Sequence, residues 1–336
     1  MLTASFEKYV LQFKSPSGTS RGILRTKDTY FITLNNGKNT AIGEAALFRG
    51  LSADDVPNYE EKLATVCNEI AFYKDNYHET LKQFPSIVFG LEQAFLKLKN
   101  KADFCFDNDF TVGKKGIPIN GLIWMGTETF MQKQIEDKLK QGFHCIKMKI
   151  GAIGFDKEIA LLKHLREKFS ARKLELRVDA NGAFAPNEAM EKLQELAQLQ
   201  LHSIEQPIKQ GQQNEMEKLC ASTPLPIALD EELIGIFELK EKQALLDKIK
   251  PQYIILKPAL VGGFKSCDEW IKLAEERNIG WWITSALESN IGLDAIAQYT
   301  ASKSTSMYQG LGTGQLFTNN TPSTLSIIDA RLWRLI

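Results

Sequence analysis

The chain has 336 residues, and its 41 Lys plus Arg balance 41 Asp plus Glu, leaving no net charge. That balance excludes the basic field of a nucleic-acid-binding protein or of one drawn to an anionic membrane surface, so the expected partner is a small molecule. The length suits one large α/β barrel or two ordinary domains.

Residues 1 to about 50 read as short strands with hairpin signals. "KYVLQFK" is followed by the polar "SPSGTSRG" and then by "YFITLNNGKNTAIGEAAL", where Asn36-Gly37 suits a tight turn. Two helices should follow. The first starts near Ser52, with "ADD" supplying first-turn carboxylates, and runs through "EKLATVCNEIAFY"; the second is "IVFGLEQAFLKLK". An α+β domain over residues 1–113 is the result.

From about residue 117 short apolar strands alternate with amphipathic helices. Strands are expected at 117–123, 145–150, 174–179, 202–205, 226–230, 253–257, 281–285 and 308–311. Eight units at this spacing fit a (β/α) barrel over residues 114–319. An open doubly wound sheet has fewer units and a glycine fingerprint near its first strand. The apolar segment 320–336 is expected to return and complete the N-terminal domain. Five cysteines without a CxxC pair point to reduced, buried thiols, and no apolar stretch reaches the length of a membrane span. The expected location is the cytoplasm.

In a barrel, the residues that close the strands meet at one mouth. Here those positions are charged. "IKMKIG" puts Lys147 and Lys149 on one face of the second strand, since side chains alternate. "VDANG" ends the third strand with Asp179 and Asn181, "IEQP" the fourth with Glu205, "LDEE" the fifth with Asp230 and Glu231, and "LKP" the sixth with Lys257. Each alone has an ordinary explanation: a solvated strand end, an Asx turn or a helix cap. Together they do not. Asp179, Glu205 and Asp230 would repel one another unless a cation lay between them, and hard oxygen donors without His or Cys favour Mg²⁺, with Mn²⁺ a plausible substitute. Lys149 and Lys257 would then face a bound substrate from opposite sides. This suits proton abstraction next to a carboxylate, with Lys149 as base and Lys147 as the nearby cation that lowers its pKa.

The motifs "KMK", "VDANG", "IEQP", "LDEE" and "LKP", in this order, resemble the enolase superfamily in its muconate-lactonizing-enzyme-like subgroup. The resemblance covers nearly the whole chain. It implies a modified TIM barrel, (β/α)7β, behind an N-terminal α+β capping domain. Asp179, Glu205 and Asp230 would be Mg²⁺ ligands and Lys149 the base. Lys147 would assist it, and Lys257 would stabilise the enolate from the other face. "SPSGTSRG", "INGLIWMG", "SALESNIG" and "GLGTG" are most similar to the o-succinylbenzoate synthases within that subgroup. The implied reaction is syn dehydration of 2-succinyl-6-hydroxy-2,4-cyclohexadiene-1-carboxylate to 2-succinylbenzoate, a step of menaquinone biosynthesis. The implied substrate contacts are Ser20 in the capping loop, Asn181, Ser285 and Glu288 after the seventh strand, and Gly310 and Gly312 after the eighth; the stretch Ser17 to Gly22 reads equally as a plain hairpin turn. Asn290 lies in the same loop as Ser285.

Gly310-Leu311-Gly312 stands where dipeptide epimerases of the subgroup carry Asp-x-Asp, which argues against a clamp for a substrate ammonium group. N-succinylamino acid racemases share the lysine pair and the metal site and remain the alternative. A Schiff-base aldolase would need Lys257 but not three clustered carboxylates. A non-catalytic barrel should have lost a ligand or a lysine, and none is missing. His78, His144, His164 and His202 fall outside the pattern, and Trp281 and Trp282 are expected to pack the far end of the barrel. Nothing in the sequence indicates an oligomeric state.

Overall fold

The computed structural model describes residues 1–19, 22–151, 153–303 and 305–336. Strands β1 (Thr3–Thr19), β2 (Gly22–Asn35) and β3 (Thr40–Ala45) form an antiparallel sheet in that order. β1 and β2 are far longer than the short strands read from the sequence. The β2–β3 turn lies where expected: Gly37 has φ +84°, the Asn35 carboxamide accepts from Gly37 N at 2.6 Å, and Asn36 Oδ1 accepts from Asn39 N at 2.8 Å.

Helices Tyr59–Asn68 and Pro85–Asn100 pack on this sheet. The first begins seven residues later than the sequence suggested, because Asp54 is used elsewhere. Its Oδ2 accepts from Ser86 N at 2.9 Å and Ser86 Oγ at 2.6 Å, capping the second helix instead of opening the first. Sheet and helix touch backbone to backbone at Gly43 and Gly90. A Cβ on Gly43 would lie 1.9 Å from the Gly90 carbonyl oxygen. Gly43→Ala should therefore cost about 3 kcal/mol in urea unfolding, from forced separation of the two elements; a midpoint equal to wild type would contradict this close approach.

The chain then forms β4 (Ile117–Pro118) and seven parallel strands: β5 (Gly121–Ile123), β6 (Cys145–Lys149), β7 (Glu175–Asp179), β8 (Ser203–Glu205), β9 (Ile227–Leu229), β10 (Tyr253–Leu256) and β11 (Gly280–Ile283). They lie side by side in chain order, each followed by a helix. The expected eighth strand is reduced to two bridging residues. Gln309 pairs with Ile119 and Gly310 with Thr284, which joins the two edges of the sheet. Ile146, Met148, Leu176, Val178 and Ile204 face the helices and belong to the main hydrophobic core.

Trp282 points into the barrel, where the Arg177 guanidinium lies 4.3 Å from its ring centroid; Arg177 also donates to the Tyr308 carbonyl. This buried pair fills the end away from the strand-end charges. Trp281 alternates outward, and its indole N–H reaches Glu275 on the surrounding helix layer.

The last hairpin, β12 (Leu325–Ile328) and β13 (Arg331–Arg334), pairs with β4 rather than with the N-terminal sheet. The stretch just before it runs along β1. Thr318 N donates to the Gln12 carbonyl, Lys14 N to the Leu316 carbonyl, and the rings of Phe13 and Phe317 lie 4.8 Å apart. β4 offers β13 a free edge, whereas the β1 edge is engaged by residues 316–319. Among the described residues no helix is long and apolar enough to cross a membrane.

Candidate active site

The sheet order places the three carboxylate strands β7, β8 and β9 between the two lysine strands β6 and β10. Lys149, Asp179 and Glu205 are register partners on adjacent strands, so they lie at one level of the barrel. Asp230 follows β9 and Lys257 follows β10. Alternation along β6 turns both lysines inward while Ile146 and Met148 turn out.

The lysines and acids pair closely. Lys147 Nζ lies 2.6 Å from Glu205 Oε2 and 3.4 Å from Asp179 Oδ2. Lys149 Nζ lies 3.0 Å from Asp179 Oδ2 and 2.6 Å from Asn181 Oδ1. Lys257 Nζ donates to Asp230 Oδ2. Asn181 takes a left-handed backbone, φ +45°, which lets its N–H reach Asp179 Oδ1 at 3.0 Å and its side-chain amide reach Glu231 at 3.0 Å. Gln206, next to Glu205, ties the strand ends together: its Oε1 accepts from Asp230 N and Glu232 N, and its Nε2 donates to Glu232.

Burial acts against the charges of Lys147, Lys257, Asp179, Glu205 and Asp230, and their partners oppose it. Desolvation alone would lower Lys147, but the Glu205 and Asp179 carboxylates outweigh it and raise the lysine. Lys257 is raised in the same way by Asp230. Desolvation would raise Asp179, yet Lys149 and Lys147 hold it below the usual carboxylate range. Desolvation prevails at Glu205, which is pushed up to about 7 with Asp179 and Asp230 repelling its charge, and it raises Asp230 as well. One acid is thus well stabilised and two are not.

The donors fit a divalent ion in kind. Asp179, Glu205 and Asp230 are all buried oxygen donors, and Glu205 Oε1 has no hydrogen-bond partner among the described residues. As placed, no three acidic, His or Cys side chains among the described residues stand close enough to share an ion, because Lys147 lies between Glu205 and Asp179 and Lys257 against Asp230.

A cavity opens directly above. Its polar floor is Lys147, Lys149, Asp179, Asn181 and Lys257, and Ser285, Gly310 and Gly312 line one side. These predicted residues therefore come together. Glu288 does not join them: it is fully buried, and its Oε2 accepts from Ala286 N at 2.7 Å, beneath the loop that faces the cavity. Asn290 is also turned away, toward the Thr321 carbonyl. Ser20 lies outside the described residues. None of the four histidines borders the cavity.

The sequence reading missed the apolar walls. Phe48 and Leu51 come from the segment after β3, Trp124 follows β5, and Leu260 follows Lys257. Trp124 stands with its ring 5.8 Å from Lys149 Nζ, and Gln134 clamps its backbone N–H and carbonyl at 3.0 Å each. Trp124 lies just past a barrel strand, so the strand-end rule applied to β5 could have found it; nothing local marks Phe48 or Leu51.

Residues 131–330 match the family described as enolase C-terminal domain-like. The chain belongs to the enolase superfamily. Within that superfamily it is 49% identical to an o-succinylbenzoate synthase of Desulfotalea psychrophila, over 96% of both chains. The crystal structure of MenC from that organism superposes with a TM-score of 0.87 at 45% identity, covering 99% of each chain. A dipeptide epimerase from Enterococcus faecalis, solved with Mg and the dipeptide L-Leu-L-Tyr, has a TM-score of 0.84 at 20% identity over 99% of this chain and 96% of its own, and shares the fold. The superfamily membership makes the modified barrel with an N-terminal cap the architecture of this chain.

Proposed function

We propose that the chain catalyses the dehydration of 2-succinyl-6-hydroxy-2,4-cyclohexadiene-1-carboxylate to 2-succinylbenzoate, a step of menaquinone biosynthesis in the cytoplasm. One observation carries the chemistry: three buried carboxylates on adjacent strands lie between lysines that enter one cavity from either side. The near-full-length likeness to an o-succinylbenzoate synthase supports this substrate.

Asp179, Glu205 and Asp230 would hold Mg²⁺, which when bound offsets negative charge developing on the substrate carboxylate. Lys149 Nζ removes the proton from the carbon bearing that carboxylate. The electron pair moves into the ring, the hydroxyl leaves on the same face, and Lys149 returns its proton to it as water. Breaking one C–H and one C–O bond makes the ring aromatic, which drives the step. Lys257, on the opposite face, stabilises the developing charge, while Lys147 holds Glu205 and Asp179 in place. Trp124 and Leu260 keep water from the lysines.

Proton NMR of the reaction mixture should show the four ring protons of a 1,2-disubstituted benzene. An unchanged diene would contradict the proposal. Because both lysines line the cavity, racemisation of N-succinylamino acids by a proton-transfer pair is the second reading. It would be favoured if those compounds lost optical rotation while the diene persisted.

A further inference from the structure

Among the buried polar atoms without a hydrogen-bond partner among the described residues are Lys27 Nζ on β2 and Glu288 Oε1 in the loop after β11. Lys27 is 5% exposed and Glu288 0%. Burial raises the Glu288 carboxyl to about 7 and lowers the Lys27 ammonium, and the two charges attract each other across the contact between the N-terminal sheet and the barrel. An incompletely paired buried charge is costly, so its retention at such a contact calls for a use.

Glu44, on β3, lies in the same contact and is fully buried. Its carboxylate accepts from Thr29 Oγ1 at 2.7 Å within the sheet. It also accepts from Ser289 N at 2.8 Å, Ser289 Oγ at 2.6 Å and Gly292 N at 2.8 Å, at the start of the barrel helix Asn290–Ala301. An acid from one unit thus caps a helix of the other. This accounts for the glycine of "SALESNIG": a Cβ on Gly292 would lie 2.8 Å from Glu44 Oε2 and 2.9 Å from Glu288 Cβ. Glu288 in turn holds Ala286 N, in a turn where Leu287 takes φ +64°.

These anchors lie next to the apolar cavity wall in the chain. Four residues after Glu44 comes Phe48, followed by Leu51; Ala286 and Leu287 immediately precede Glu288. All four line the cavity, and Leu51, Ala286 and Leu260 pack as one cluster with Phe48 against it.

We propose that Lys27, Glu44 and Glu288 form a joint that sets Phe48 and Leu51 of the capping domain against Ala286 and Leu287 of the barrel. They are positioning residues for the substrate, and Glu288 acts through the loop rather than by touching the substrate. The proposal rests on the cavity being the dehydration site.

The test compares Lys27→Met, Glu288→Gln and the double variant. Each single change should raise KM about tenfold with kcat within about threefold, and the double variant should be no worse than the weaker single, because the two act as one unit. Effects on kcat/KM that multiply would overturn the joint. So would a wild-type KM in the singles with only a lower melting temperature, or a collapse of kcat in Glu288→Gln while Lys27→Met is silent. Hydrogen exchange gives a readout independent of turnover: peptides spanning 44–52 and 284–293 should exchange faster in Lys27→Met and in Glu44→Gln than in wild type. Unchanged exchange in both would overturn the joint. If the wild-type chain fails to dehydrate the diene, the proposed activity fails, and hydrogen exchange alone judges the joint.

Discussion

Lys149→Ala should lower kcat for dehydration by roughly a thousandfold or more, about 4 kcal/mol of transition-state stabilisation. Among the described residues, Lys149 and Lys147 are the cavity-lining lysines that enter from the β6 side, and Lys147 is drawn down to Glu205 and Asp179. Among the described residues no unengaged base stands beside Lys149 on that face. Lys149 is less deeply buried than Lys147, and its loss leaves the β6 pairings with β5 and β7 unchanged. The variant should therefore fold, with a melting temperature close to wild type. Turnover within about tenfold of wild type would remove Lys149 from the role of base.

Glu205→Gln keeps the shape of the side chain and removes its charge. Its Oε2 is the nearest partner of Lys147, at 2.6 Å, and its Oε1 is a buried oxygen without a hydrogen-bond partner among the described residues. The change should weaken Mg²⁺ binding and leave Lys147 paired only with Asp179. The expected loss is roughly a thousandfold in turnover at wild-type saturating Mg²⁺, several kcal/mol of charge stabilisation. A Mg²⁺ titration of the rate checks both effects. A wild-type half-saturation point and rate would show that Glu205 is not a ligand.

The residues on the cavity floor were legible in the sequence because a parallel barrel strand leaves its last side chain at one mouth. Lys149, Asp179 and Lys257 could be read from short apolar runs each ending in a charge, with no knowledge of their contacts. The walls were less legible for the same reason in reverse. Phe48 and Leu51 reach the cavity only because the N-terminal sheet docks on the barrel, and an apolar residue after a strand resembles any core residue. Glu288 shows a third case. Its motif was conspicuous, but the left-handed Leu287 turn sends its carboxylate under the loop, which local spacing does not reveal. Asp54 was read as opening its own helix and instead caps another 32 residues away, since side-chain caps need proximity in space rather than in sequence. The eighth strand was placed at the right residues but made too long; two bridging residues suffice to join β5 and β11 through Ile119 and Thr284.

The account turns on metal-assisted dehydration, and the most direct measurement is loss of the diene's ultraviolet absorbance on adding purified protein. It is made with Mg²⁺, after EDTA treatment, and after Mg²⁺ is restored. The expected result is rapid loss with Mg²⁺, none after chelation and recovery on restoration. Loss at the same rate in all three would contradict a metal role for Asp179, Glu205 and Asp230, and no loss in any would contradict the proposed reaction.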